Sequence, residues 1–526
     1  MFWTDKLVGE IKEKYTEKIK AGKPLVIRDE KTMSGRVHVG SLRGVAIHGI
    51  ISEILNKQEI ANTYLFEIND FDLMDGLPVY LDQGKYLPYM GYLLCDIPAP
   101  NGKAKNYAEY FAEEFLGVIK QVGFNPEYYR SSELYRAGKY NKVIKIALEN
   151  ASKIRAIYKK VSGAEKEDDW FPLQVKCEKC GKVATTKVIS YGEEEVEYVC
   201  KEDLVKWTKG CSYRGKISPF DGNAKLPWKV EWAAKFKVLG VDIEGAGKDH
   251  STRGGSREIA ETISREVFGH IPPFNIPYEF FQVGGKKMSS SRGAGSSSKE
   301  ISNLLPPEIL RLLLLGKNPN KVIDFIPDGD TIPILYDLYD KMAAEYFAKK
   351  EGDYQRIFSL IHASEKIKER LLPRFSQIAF LVQMPHMEIE EEVKEIKGKK
   401  LSGEDRKEIN HRAKYAKNWL TKYAPEDYRY ELQEKEIPAG TKNFSADQKK
   451  TLQLILQYVQ SQEKLDGQLL HSKLHDIKTE IGINPQDLFS AIYLSFLGKT
   501  SGPKAGWFLS VLDKEFLEKR LAEASK

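Results

Sequence analysis

Leu7, Ile11, Tyr15 and Ile19 recur every four residues, a spacing that puts one apolar stripe on an α-helix. Gly22 and Pro24 end that helix. Leu25-Val26-Ile27 then reads as a buried strand, and a polar loop follows from Asp29 to Gly35. Leu42, Val45, Ile50 and Ile54 mark a second helix ending near Asn56, and residues 60–68 read as a second strand. Strand, loop, helix and strand in close succession open a doubly wound α/β unit.

Further on, Asn106 to Val122 predicts a helix with Phe111, Phe115, Val118 and Ile119 on its apolar face. Leu134 to Lys160 continues in helical style. Between Pro172 and Pro227 the pattern shifts to short alternating runs rich in Cys, Gly, Thr and Val, which suggests a small inserted module of strands. Val238 to Ile243 and Phe280 to Val283 read as strands again, with a helix at Arg257 to Phe268 between them. Residues 285–299 are rich in Gly, Ser and Lys. From Pro306 the helical period prevails, as at Leu310, Leu313 and Leu314, so a boundary near residue 325 is expected, followed by an α-helical domain.

Composition narrows the class. Over 526 residues, 41% hydrophobic and 30% charged types give a globular balance and exclude whole-chain disorder. The 81 Lys and Arg against 75 Asp and Glu leave a net charge of +6, which permits a polyanionic partner without demanding one. The apolar runs Leu312 to Leu315 and Ile378 to Met384 fall far short of a membrane span. Met1 to Lys6 lacks the basic start and apolar stretch of a signal peptide. Five cysteines fit a reducing compartment better than a disulfide framework. A soluble cytoplasmic protein with no membrane partner is expected.

Candidate chemistry begins at Thr32-Met33-Ser34-Gly35-Arg36-Val37-His38-Val39-Gly40-Ser41, between the first strand and its helix. Ligands of open α/β sheets bind at that strand edge. Glycines let backbone approach a phosphate, and the helix N-terminus supplies N–H donors. The alternative is a polar loop with a surface histidine. A second segment, Gly284-Gly285-Lys286-Lys287-Met288-Ser289-Ser290-Ser291-Arg292, directly follows an apolar strand. A loop carrying lysine and hydroxyls can close over a triphosphate and neutralise its charge. Taken alone it would equally be a Ser/Gly linker.

In this order and spacing the two segments resemble known motifs. His38-Val39-Gly40-Ser41 is similar to HIGH, and Lys287-Met288-Ser289-Ser290-Ser291 to KMSKS, the signatures of class I aminoacyl-tRNA synthetases. Gly247-Lys248-Asp249-His250, Leu226-Pro227-Trp228-Lys229-Val230-Glu231-Trp232, Ala416-Lys417-Asn418-Trp419-Leu420 and Gly502-Pro503-Lys504-Ala505-Gly506 narrow the likeness to class I lysyl-tRNA synthetase, the form of most archaea and some bacteria. The chain departs from the pattern at Ser41 and Ser290, at Met33 where proline is usual, and at Glu30 where glycine is expected.

The resemblance implies an α/β Rossmann-type catalytic domain over 1–290, with an insertion over about 85–225 that holds a zinc-ribbon-like cysteine module at 172–227. A connecting region with the KMSKS loop would span 291–325, and an all-α anticodon-binding domain 326–526. It implies ATP, Mg²⁺, L-lysine and tRNA(Lys) as ligands and a monomeric enzyme. Lysine would be adenylated and passed to a 2′-hydroxyl, with tRNA required for activation. His38, Ser41 and Lys287 would be catalytic. Gly40, Gly247, Lys248, Asp249, Met288, Ser289 and Ser290 would hold ATP. Thr32, Trp228, His250 and Tyr278 would hold lysine, whose methylenes suit an indole and whose ammonium suits a π-face or carboxylate. Trp228 packing into a core with Trp232 is the competing expectation. Other class I synthetases, or a non-catalytic RNA-binding relative, are the alternative functions.

Cys177-Glu178-Lys179-Cys180, followed by Cys200 and Cys211, offers four thiolates for a structural zinc. Asp203 is an alternative fourth ligand, and Cys95 stands alone. His471 and His475 sit four apart on a helix and read as a solvated face. Gly498-Lys499-Thr500 fails the P-loop pattern because Tyr occupies position 493. Among the basic residues of the last domain, Trp419, Tyr423, Tyr428 and Tyr430 either stack on anticodon bases or form a helix core.

Overall fold

A computed structural model describes residues 2–285, 296–362, 366–384, 388–398 and 400–526. The chain divides into two compact units, one of residues 1–325 with 342–366, the other of 326–341 with 367–526. Among the described residues no helix is long and apolar enough to cross a membrane.

The first unit is built on five parallel strands: β1 (Leu25–Thr32), β2 (Asn62–Asn69), β3 (Glu127–Arg130), β4 (Ile243–Gly247) and β5 (Phe274–Tyr278). Their order is β5-β4-β1-β2-β3. The order reverses between β1 and β4, which makes the carboxyl ends of those two strands the expected ligand crevice. Helix α1 (Leu42–Lys57) crosses from β1 to β2, and α2 (Tyr107–Gln121) precedes β3. Helix α3 (Trp228–Leu239) precedes β4, and α4 (Ser256–Glu266) joins β4 to β5. Close approach of α1 to the sheet depends on Gly44. A Cβ there would lie 2.9 Å from Asp29 Oδ2 and 3.0 Å from the Tyr278 hydroxyl.

Several elements differ from the sequence reading. Strand β1 runs on to Thr32, through the expected loop, because its charged residues are paired within the fold (below). Val238 and Leu239 are the end of α3, which stops at Gly240 with φ +63°, and β4 starts only at Ile243. Phe281–Val283 is a strand, but it pairs with Ile323–Phe325 in a separate two-stranded sheet. The fifth strand of the main sheet is Phe274–Tyr278, whose Pro277 is tolerated at an edge. The first helix is also interrupted, at Tyr15. Strand β3 lies inside the segment expected as an insertion, about 85–225.

The cysteine-bearing segment folds as a three-stranded antiparallel sheet, Thr186–Gly192, Glu195–Cys200 and Arg214–Ile217. Gln174–Val175 pairs with Ala224–Lys225 at its base. The second unit is helical throughout its described residues, with no strand assigned there. Gly403–Lys422, Ala446–Ser461, Gly467–Ile481 and Pro485–Leu497 are its longest helices, two of them opened by capping boxes at Ser402 and Ser445. Trp419 is fully buried there and donates to the Pro327 carbonyl at 2.8 Å.

Candidate active site and cysteine cluster

A cleft of about 270 Å³ opens at the carboxyl ends of β1 and β4. Thr32, Ser41, Trp228, Gly247, His250 and Tyr278, six of the residues singled out in the sequence, line it together. Trp228 stacks on Trp232 with centroids 6.0 Å apart, so the core expectation is half right. Trp232 is buried, and its indole N–H donates to Glu244. Trp228 stays 45% exposed and faces the cleft. The His250 ring packs edgewise on both indoles, at 5.6 and 5.9 Å. Thr32 donates to Asp72 at 3.2 Å, and burial pushes the Tyr278 phenol well up.

Lys248 and Asp249 are not among the lining residues. The Lys248 ammonium is held 2.6 Å from Glu279, while its backbone N–H donates to Tyr278 O at 2.8 Å.

His38 precedes a short turn, Val39–Ser41, that leads into α1. Burial, with the neighbouring Lys31 charge, pushes its imidazole down to about 3, so the ring is neutral near pH 7. Its flanks are tied to residues that follow the second motif. Val39 N–H donates to Ser296 O at 3.2 Å, and Ser298 N–H donates to Val37 O at 2.8 Å. Upstream, Gly284 N–H donates to Phe325 O at 3.0 Å and Gly285 N–H to Asp324 at 2.9 Å. Lys287, Met288, Ser289 and Ser290 lie outside the described residues.

Beneath the cleft lies an ionic network that sequence reasoning missed. Arg28, fully buried, bonds Glu244 and Glu67 at 2.5 Å each and also Glu30. Lys235 bonds Glu30 at 2.7 Å and Glu67 at 2.8 Å. Lys225 reaches Asp72 at 3.3 Å and Glu231 at 3.4 Å, and Arg257 reaches Glu244 at 3.0 Å. Burial would discharge Arg28 and Lys235, yet these carboxylates hold both well above their usual ranges. Removing one partner of such a buried pair costs about 3–5 kcal/mol. Little in the sequence signalled it, because Arg28-Asp29-Glu30-Lys31 is an unbroken run of charge with no period of two.

The Sγ atoms of Cys177, Cys180, Cys200 and Cys211 all lie within 4.8 Å of one another. Cys177 and Cys211 are 3.6 Å apart, Cys180 and Cys200 3.7 Å. A tetrahedron of thiolates at the usual Zn–S length of about 2.3 Å has edges of about 3.8 Å, so the donor set fits zinc. Gly181, at φ +76°, closes the knuckle by donating to Cys177 O at 2.8 Å. Asp203 is not among the clustered donors.

In the second unit, Tyr428 and Tyr430 line a cavity of about 510 Å³ with Phe380, Trp507, Arg374 and Lys504. Tyr423 is not among its lining residues, and Trp419 belongs to the core.

A five-stranded parallel sheet with a crevice at its reversal point, followed along the chain by a helical unit, defines a two-part protein of the doubly wound α/β class. Comparison with known proteins gives the family. The chain belongs to the tRNA synthetases class I (K), whose family pattern matches residues 1–366. A second match, to an anticodon binding domain, covers residues 407–525. Curated relatives named lysine–tRNA ligase run the full length. That of Methanosarcina barkeri (strain Fusaro) is 34% identical over 99% of this chain and 97% of its own. That of Methanocaldococcus jannaschii is 33% identical over 99% of each, and that of Archaeoglobus fulgidus 30% identical over 100% of each.

Proposed function

We propose that the chain ligates L-lysine to tRNA(Lys) in two steps. One observation carries this function: a single cleft gathers Thr32, Ser41, Trp228, His250 and Tyr278 at the sheet's reversal point. The full-length relatives named lysine–tRNA ligase support it.

In the first step a lysine carboxylate oxygen attacks the α-phosphorus of ATP in line. The bond to the β-phosphate oxygen breaks, giving lysyl-adenylate and pyrophosphate. No enzyme nucleophile is needed, so the protein acts by positioning and by stabilising charge. Neutral His38 donates to a phosphate oxygen, and Ser41 with the Gly40 backbone cradles the chain of phosphates. Gly247 lets the nucleotide approach β4, with Lys248 and Asp249 at its rim. Lys287 neutralises the departing pyrophosphate, and Met288, Ser289 and Ser290 of the same motif contribute to ATP binding. Mg²⁺ arriving with ATP supplies further neutralisation of the phosphates. Thr32, Trp228, His250 and Tyr278 hold the amino acid.

In the second step the 2′-hydroxyl of the terminal adenosine attacks the lysyl carbonyl. The ester bond forms, AMP leaves, and the hydroxyl proton passes to the released phosphate. Binding of tRNA is needed for the first step. Tyr428, Tyr430 and Trp507 take unstacked anticodon bases. Cys177, Cys180, Cys200 and Cys211 hold a structural Zn²⁺ that braces the inserted sheet. The enzyme works as a cytoplasmic monomer.

The test is pyrophosphate exchange with His38→Ala and Lys287→Ala. Each is expected to lose roughly 10²–10³-fold in rate, as when one transition-state donor is removed. Full activity in both would sink the assignment.

A further inference from the structure

We infer that Glu30 Oε1 takes the side-chain ammonium of the amino-acid substrate, making Glu30 the residue that reads the substrate's charge. The inference rests on the lysine-ligase reading above and adds its specificity residue.

Glu30 differs from the other acids of the network in its position. Along β1, Arg28, Glu30 and Thr32 point to one face, Asp29 and Lys31 to the other. The Arg28 face is met by α3, which brings Trp228, Trp232 and Lys235. Glu67 on that face is sealed, with its side chain 0% exposed; Glu244 lines the cleft but is only 3% exposed, and Asp72, 31% exposed, is not among the lining residues, whereas the Glu30 side chain is 35% exposed and lines the cleft. Asp29 and Lys31, on the opposite face of the strand, also line the cleft, where the Lys31 ammonium interacts first with Asp29 and then with Glu30.

Both cations that hold Glu30 bond the same oxygen. Arg28 and Lys235 donate to Oε2, and Oε1 makes no hydrogen bond among the described residues. The carboxylate is ionised. Burial alone would raise its pKa, but Lys235 and Arg28 hold it below the usual range.

The network also has an unmatched negative charge. Traced from pair to pair, it joins five cations (Arg28, Lys225, Lys235, Arg257, Arg265) to six carboxylates (Glu30, Glu67, Asp72, Glu231, Glu244, Glu261). A cationic side chain in the cleft restores neutrality. A guanidinium would want both oxygens of a carboxylate for its fork, and Oε2 is already taken. One free oxygen suits a compact ammonium, which binds as a point charge. The indole of Trp228 and the ring of Tyr278 give apolar walls for a methylene stem leading to it.

The experiment is pyrophosphate exchange, in the presence of tRNA, with lysine and with norleucine, which has a comparable stem and no ammonium. Glu30→Gln is expected to raise KM for lysine roughly ten-fold or more, the scale of one charged hydrogen bond. KM for ATP and for norleucine should not move, so the preference for lysine falls by the same factor. A purely structural role would shift all three together and would overturn the inference. So would an unchanged lysine KM in a variant that activates lysine normally. Wild-type exchange with an uncharged amino acid instead of lysine would overturn the underlying function as well. Should Glu30→Gln fail to fold, a lysine-bound structure of the wild-type protein decides: Nζ within hydrogen-bond reach of Oε1 supports the assignment, and Nζ on another group refutes it.

Discussion

Val39 donates its amide hydrogen to the carbonyl of Ser296 at 3.2 Å, and a second bond joins Ser298 N–H to Val37 O at 2.8 Å. The loop before α1 is thereby stitched to the segment just downstream of the Lys287 motif. Ser298 is also the first residue of the helix Ser298–Leu304. Proline is well tolerated at a helix's first position, where its missing N–H costs the helix nothing. Ser298→Pro deletes the bond to Val37 and replaces a buried serine side chain by a ring. Pyrophosphate exchange should fall roughly ten-fold in a variant whose melting transition shows it folded, since small displacements of positioning groups are costly. Exchange at the wild-type rate would show that the stitch does not position the site.

The two stacked indoles should separate binding from stability. Trp232 is buried and tied to Glu244, so Trp232→Ala should cost about 3–5 kcal/mol in denaturant unfolding. Trp228 is 45% exposed, so Trp228→Ala should leave stability nearly intact and raise KM for lysine several-fold. The reverse pattern would place Trp228 in the core and not in the pocket.

The pH dependence of stability carries a signature of His38. Its pKa is lowered, by burial first and then by Lys31, to about 3, against 6.5 unfolded. Between those values the unfolded chain binds the proton and the folded one does not, so stability rises with pH across the window. The contribution is complete above about 6.5 and lost as pH falls toward 3, with a slope of up to about 1.4 kcal/mol per pH unit. His38→Gln should flatten that part of the stability curve, measured by denaturant unfolding at stepped pH. An unaltered curve would mean His38 titrates normally in the fold.

Metal analysis separates the two fourth-ligand candidates. Purified protein should carry one zinc, Cys211→Ser should lose it, and Asp203→Ala should keep it. Chelation should lower the melting temperature of the wild type and leave Cys211→Ser unaffected. Zinc retained by Cys211→Ser and lost by Asp203→Ala would reverse the assignment.

Much of this was legible in local pattern. The helix from Leu42 and the strand from Asn62 follow from apolar spacing. What was hidden depends on partners distant in the chain. Asp29 to Thr32 reads as part of a polar loop because the partners that neutralise Glu30 and the adjoining Arg28, namely Lys235, Glu67 and Glu244, lie about 40 to 215 residues away. Strand β5 was masked by its own Pro277, a residue that fits only an edge. Cys211 was ambiguous because the long gap after Cys200 gave no second knuckle. The fold closes that gap by a hairpin-like return, with Cys211 N–H donating to Cys200 Sγ at 3.3 Å and Ser212 N–H to Cys200 O at 2.8 Å. Trp419 reads from sequence either as a stacking aromatic or as helix core, and packing identifies it as core.

The central claim is tested most directly by ATP–pyrophosphate exchange across all twenty amino acids, with and without bulk tRNA. Exchange with lysine alone, and only when tRNA is present, is the predicted result. Exchange with a different amino acid, or with none under either condition, would contradict it.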